Sequence, residues 1–142
     1  MAGPTDAPAE RASMRERMLA GLPYLADDPE LQMLAGRAQA LTHRINTLDP
    51  TRTAELATLF AELLGEFGEG ARIRPPFRCD YGRHVRFGAR SFANFGLVVL
   101  DVAPVVVGED MQIGPYVQLL TATHPLEPDP RREKWEAAEP VV

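Results

Sequence analysis

The chain has 142 residues, 45% apolar and 25% charged, with a net charge of −5. That is the make-up of one soluble globular domain with a real core. The negative balance excludes a general nucleic-acid binder, which carries a basic footprint, but still allows local arginines to form a pocket for a small anion. The single cysteine, Cys79, excludes an intramolecular disulfide and fits a reducing, cytoplasmic compartment. The opening "MAGPTDAPAERAS" lacks the apolar run of a signal peptide. The longest apolar stretch, "FGLVVLDVAPVVVG", is broken by Asp101 and Pro104 and is too short to span a bilayer.

Residues 1–12 are rich in Ala, Pro and charge and read as a disordered tail. Ser13 and Glu16 form a capping box, which predicts a short helix over 14–21 that Gly21 and Pro23 end. Asp28-Pro29 is a second start signal. Leu31, Leu34, Ala35, Ala38, Leu41 and Ile45 follow at helical spacing, predicting a helix over 29–46. Asp49-Pro50 repeats the signal. Leu56, Leu59, Phe60, Leu63, Leu64 and Phe67 form a third stripe, stopped by Gly65 and Gly68. The helical lobe is expected to span 13–70.

From Ala71 no helical pattern survives. Phe87, Ala93, Val99 and Val105 are six residues apart, and after a two-residue slip so are Val107, Ile113 and Leu119. Glycine follows the apolar residue at 88, 108 and 114. A period of six fits a parallel β-helix in which each hexad is one face and three faces make a triangular rung. Val107 should then stack on Phe87, Ile113 on Ala93 and Leu119 on Val99, about 4.8 Å apart. The glycines are expected to supply corners of positive φ. An antiparallel sheet with turns is the competing reading, but it does not call for glycine every six residues. The rungs are expected over 71–124, followed by a loop over 125–142.

Five stretches carry a resemblance. They are the "ML-AG-LPYLADDPEL" pattern near the start, "RPPFRCDYG" at 74–82, "FANFG" at 92–96, "LDVAPV" at 100–105 and "TATHPLEP" at 121–128. Together they resemble the hexapeptide-repeat acyltransferases. Within these the match is to the sugar O-acetyltransferases of the maltose, galactoside and nodulation type. The resemblance implies a helical lobe followed by a short left-handed parallel β-helix, an α+β fold whose crossovers run against the usual right-handed rule. It also implies a homotrimer, with acetyl-CoA as co-substrate and a sugar acceptor such as maltose or glucose meeting between subunits, and no metal, membrane or nucleic-acid partner. Family members continue past "EPVV" into further rungs that supply most acetyl-CoA contacts. This chain is therefore expected to be truncated, which leaves the cofactor-binding residues unassigned. The alternative function is a catalytically impaired remnant that acts as an oligomeric or sugar-binding module.

By that resemblance His124 is the general base, Asn94 stabilises the transition state and lines the acceptor site, and Asp80 contacts the sugar. Asp101 lies in a region of acceptor-binding acids. Each has a plainer reading. An imidazole titrates near neutrality and suits proton transfer from a hydroxyl, but His124 could merely cap the turn before Pro125. Asn94, in a glycine position, could be a corner residue. Asp80 could cap the Tyr81-Gly82 turn. Asp101 interrupts an apolar strand and could bond its neighbours or a sugar hydroxyl. Glu127 and Glu136 are candidates to orient the imidazole, Glu136 by its place in the family's acid-aromatic segment. Cys79 reads as a buried small hydrophobe rather than a nucleophile, and His43 and His84 as structural or solvated. Zinc needs converging ligands, and His43, His84 and His124 lie in different elements. The resemblance also implies an acceptor-binding acid in the N-terminal lobe, where the segment here reads Leu25-Ala26-Asp27. "GEFGEG" ends a helix and so is no phosphate loop.

Overall fold

The computed structural model describes residues 12–142. The tail expected over 1–12 lies, but for its last residue, outside that range. The helical lobe comes first. Helix α1, Met14–Leu19, carries the expected capping box, with Glu16 N–H donating to Ser13 Oγ and Ser13 N–H to the Glu16 carboxylate. A two-residue strand follows, β1 at Tyr24–Leu25. Asp28 caps helix α2, Pro29–Thr47, by accepting from Glu30 and Leu31 N–H. Helix α3 is Thr53–Leu63. The Asp49-Pro50 signal does not start it. Asp49 instead accepts from the N–H and hydroxyl of Thr51 in the preceding turn, and the helix begins without a side-chain cap. No helix among the described residues is long and apolar enough to cross a membrane.

The second half is a parallel β-helix of triangular section. Its first face holds β2 (Glu66–Phe67), β5 (Val85–Phe87) and β8 (Val105–Val107). Its second holds β3 (Arg72–Ile73), β6 (Phe92–Ala93) and β9 (Gln112–Ile113), and its third β4 (Phe77–Cys79), β7 (Leu97–Leu100) and β10 (Gln118–Leu120). All pairs within these faces are parallel, which disposes of the antiparallel alternative. The register pairs Phe87 with Val107, Ala93 with Ile113 and Val99 with Leu119, as the period of six requires.

A rung lies below the expected two. Phe67, Ile73 and Cys79 pair with Phe87, Ala93 and Val99. The solenoid thus begins at Glu66, inside the span assigned to the helical lobe. Phe67 reads as helical because it extends the Leu63–Leu64 stripe, but the helix stops at Leu63. Phe60 of α3 closes the base of the prism, its ring 5.5 Å from Phe67 and 5.4 Å from Phe77. Phe60, Phe77, Phe87, Ala93, Leu97, Val99 and Val105 are essentially sealed from solvent. A buried side chain of the larger kind contributes about 2 kcal/mol. Asn46 of α2 bonds both backbone groups of Phe77, donating to its carbonyl and accepting from its N–H, each at 2.9 Å.

The glycine expectation needs correction. Gly88, Gly108 and Gly114 do not have positive φ; the left-handed residues of the corners are Gly70, Arg90, Asp110, Gly96, Tyr116 and Gly82. Gly88 is required for space instead. A Cβ there would lie 2.3 Å from the Gly108 carbonyl oxygen of the next rung.

Residues 125–142 are also more than the expected loop. After strand β11, Ala122–Thr123, come a short helix α4, Pro128–Arg132, and strand β12, Trp135–Ala138. Strand β12 pairs antiparallel with β11 on one side and β1 on the other. Val141 then bridges to Val105 of the prism. This small sheet fastens the helical lobe to the solenoid. A second core, Met18, Tyr24, Leu31, Tyr81, Val102, Ala103 and Ala138, fills the join.

Candidate active site

Each rung turns three corners, and the predicted site residues divide between two of them. The third corner joins the third face to the first and recurs at 80–84, 101–104 and 121–124. Hydrogen bonds climb it. Asp101 is fully buried and reaches down to the first rung. One carboxylate oxygen accepts from Asp80 N–H at 3.1 Å and Tyr81 N–H at 2.9 Å, and the other from His84 N–H at 3.2 Å. His84 Nδ1 lies 2.6 Å from the Asp101 carbonyl oxygen. A carbonyl only accepts, so Nδ1 carries the proton. One rung higher Thr121 repeats the pattern, accepting from Ala103 N–H at 2.9 Å and donating to the Leu100 carbonyl at 2.6 Å.

Of the two readings of Asp101, bonding to its neighbours is therefore the one the structure displays. Its oxygens face backbone donors and none faces solvent. Burial raises its pKa, while the N–H donors and His84 favour the ionised form. Its position fixes the turn that presents Asp80.

Asp80 is half-buried, and its pKa is pushed up to about 6 by burial, then by the charges of Asp101 and Glu136. The small sheet forms a wall beside this corner. Tyr24 is paired with Glu136 across β1 and β12, and its hydroxyl donates to Glu136 Oε2 at 3.0 Å. On the other side of β12, Ala122 pairs with Ala138 and Thr123 with Ala137. Strand β11 ends at Thr123, and His124 follows it directly at the same corner. His124 itself is exposed. Tyr24 and Glu136 thus stand beside Asp80. Glu127 is exposed at the start of α4.

Asn94 is elsewhere. It follows β6 at the second corner, between the second and third faces. Its Oδ1 accepts from Phe95 N–H at 2.9 Å, which leaves the amide N–H₂ as the donor end of the side chain. Its φ is not positive, so it is no left-handed corner residue. Within one chain Asn94 and His124 stand at different vertices of the triangle.

The remaining candidates fall away from the Tyr24–Glu136 pair. Cys79 is mostly enclosed, and burial, with Asp101 and Asp80 adding, raises its thiol pKa far above neutrality, which suppresses the thiolate. His43 is exposed on α2. His84 is occupied with Asp101. Asp28 is used as a helix cap, so the free acid of "LADD" is the exposed Asp27. Among the described residues no three His, Cys, Asp or Glu side chains are grouped to hold a metal. Tyr24 is the residue that the sequence reading missed. It stands in "LPYLADD", but only the pairing with β12 places it against Glu136.

A family model described as the maltose acetyltransferase hexapeptide capping motif matches residues 17–68, the lobe and the first strand. Nodulation protein L of Rhizobium meliloti (strain 1021) is 43% identical over 129 residues, covering 91% of this chain and 70% of that protein. The crystal structure of a maltose O-acetyltransferase from Clostridium difficile 630 superposes with a TM-score of 0.89 at 29% identity, over 91% of this chain and 69% of that one. A hexapeptide-repeat acetyltransferase of Vibrio cholerae, solved in complex with acetyl coenzyme A, gives a TM-score of 0.81 at 35% identity over 92% and 70%. With a helical lobe, a left-handed parallel β-helix and relatives of this closeness, the chain belongs to the hexapeptide-repeat sugar O-acetyltransferase family.

Proposed function

We propose that this chain transfers an acetyl group from acetyl-CoA to a hydroxyl of a maltose- or glucose-like sugar, with His124 as general base. The observation that supports this reading is the Tyr24–Glu136 pair beside Asp80 at the corner where strand β11 runs into His124. The hydroxyl gives its proton to the His124 imidazole as its oxygen bonds to the thioester carbonyl carbon. The C–S bond then breaks, and the departing sulfur takes the proton from the imidazolium. Glu136, steadied by the Tyr24 hydroxyl, orients the imidazole. Asp80, ionised above about pH 6, accepts hydrogen bonds from the sugar.

The amide N–H₂ of Asn94 suits the developing oxyanion, but Asn94 and His124 sit at different corners. The site is therefore completed between copies, the second corner of one chain facing the third corner of the next, as a homotrimer allows.

The test is acetylation of maltose by acetyl-CoA, followed as released thiol. His124→Ala should lower kcat by about 10²–10⁴-fold with little change in the KM for maltose. Turnover in that variant within twofold of the parent would remove His124 as base. Maltose binding by the parent chain without any transfer would favour a sugar-binding module.

A further inference from the structure

The helical lobe leaves a cleft against the first rung that the chemistry above does not use. It has a volume of about 270 Å³, near the lower end of small-molecule sites. Its floor is apolar, built from Leu56 and Phe60 of α3, Phe67 of β2 and Ile73 of β3. Its rim is not. Arg72 and Arg74 both line it and both are exposed. Among the described residues neither guanidinium has a carboxylate within ion-pair distance, whereas Arg52, Arg86 and Arg132 each have one and Arg90 has two. Arg74 instead lies over the ring of Phe95, 3.9 Å from its centroid.

Phe95 ties this cleft to the second corner. Its ring lines the cleft at 40% exposure, and its N–H is the donor that fixes Asn94. A molecule with its sugar at Asn94 would have the cleft mouth one residue away. An apolar floor beneath two unpaired cations is matched by an amphiphilic anion. A bare disaccharide would leave the floor wet and the arginines unused.

We infer that this cleft receives the aglycone of the acceptor, an apolar chain or ring carrying an acidic group, so that the preferred substrate is an anionic amphiphilic glycoside rather than a free sugar. The inference rests on the reading of Asn94 as an acceptor-side residue, and its test separates the two. Binding is measured first, without turnover, by titration calorimetry with decanoate and with decanol. Decanoate should bind the parent chain at least tenfold more tightly than decanol. Ala57→Trp, on the exposed side of α3 where the new ring fills the cleft, should weaken decanoate at least tenfold, and Arg72→Gln with Arg74→Gln should erase the preference over decanol. Turnover is measured second, with methyl and octyl β-glucosides and an octyl glucoside bearing a terminal carboxylate. KM should fall about tenfold from methyl to octyl and again with the carboxylate. Ala57→Trp should bring the methyl-to-octyl ratio to about one.

Equal decanoate affinity in the parent and Ala57→Trp chains overturns the inference, as does a methyl-to-octyl ratio of one in the parent. A change of sedimentation mass in Ala57→Trp also overturns it, since the cleft would then be a contact between copies. Decanoate binding in the cleft with all three glucosides refused overturns the acetyl-transfer reading instead, leaving an amphiphile site.

Discussion

The first and third corners of the prism are built on the same twenty-residue rung, yet they solve the same problem with different groups. Each must satisfy backbone donors and acceptors where the chain turns inside the protein. At the first corner Ser91 does this with a hydroxyl, donating to the Gly108 carbonyl at 2.6 Å and accepting from Met111 N–H at 3.0 Å. At the third corner Thr121 does it with a hydroxyl too, but Asp101 does it with a fully buried carboxylate. A buried carboxylate costs far more desolvation than a hydroxyl. Hydroxyls evidently suffice to build a corner. The carboxylate buys something more, a third backbone donor, and with it the fixed turn from Asp80 to His84.

The largest effect should come from removing that group. Asp101→Ala leaves the N–H groups of Asp80, Tyr81 and His84 without their partner. It should cost about 3 kcal/mol and lower Tm by about 10 °C. Ser91→Ala, the matching change at the first corner, should cost about 1–2 kcal/mol. Thermal unfolding of both proteins by circular dichroism checks the order. Equal losses would erase the distinction between the corners.

Asp80 gives a smaller effect with a pH signature. Its folded pKa is raised to about 6, so between about pH 4 and pH 6 the folded state holds more protons than the unfolded one. Stability from this group therefore falls as pH rises through that window. Asp80→Asn should be more stable than the parent above pH 6, by about 1 kcal/mol after solvent screening. The difference should close as pH falls toward 4. Denaturant midpoints at pH 4, 5, 6 and 7.5 measure it, and a constant difference across that range would mean that the carboxyl is not perturbed.

The sequence made the stacking of the upper two rungs legible because inward positions obey a period of six regardless of what lies outside them. The lower rung obeyed it as well, through Phe67, Ile73 and Cys79, but Phe67 also fitted the stripe of the helix before it. Two periodicities overlapped there, and the shorter one masked the longer. Strand β12 was unreadable for another reason. "WEAA" holds helix-forming residues, and only its place between β1 and β11 makes it a strand. That concealed the pairing of Tyr24 with Glu136, and with it the wall of the site. Motifs singled out His124, Asp80, Asn94 and Glu136 as candidates. That the first, second and fourth gather at one corner and Asn94 stands at another is a fact of topology, which motifs do not carry.

The smallest effect belongs to the most conspicuous ion pairs. Arg90 at the first corner bonds Asp110 at 2.8 and 3.0 Å and Glu109 at 2.8 Å. These contacts raise the arginine pKa and lower that of Asp110. All three side chains are more than half exposed, so solvent screens the attraction and holding them still costs entropy. Arg90→Gln should leave Tm unchanged within about a degree, at low and at high salt. The backbone matters more than the charge, because Arg90 has φ of 57°, a left-handed conformation that an L side chain resists. Arg90→Gly removes that strain along with the ion pairs and should raise Tm by about 3 °C. A salt-sensitive loss in the glutamine variant would show instead that the exposed carboxylates of the first corner hold it as firmly as the buried one holds the third.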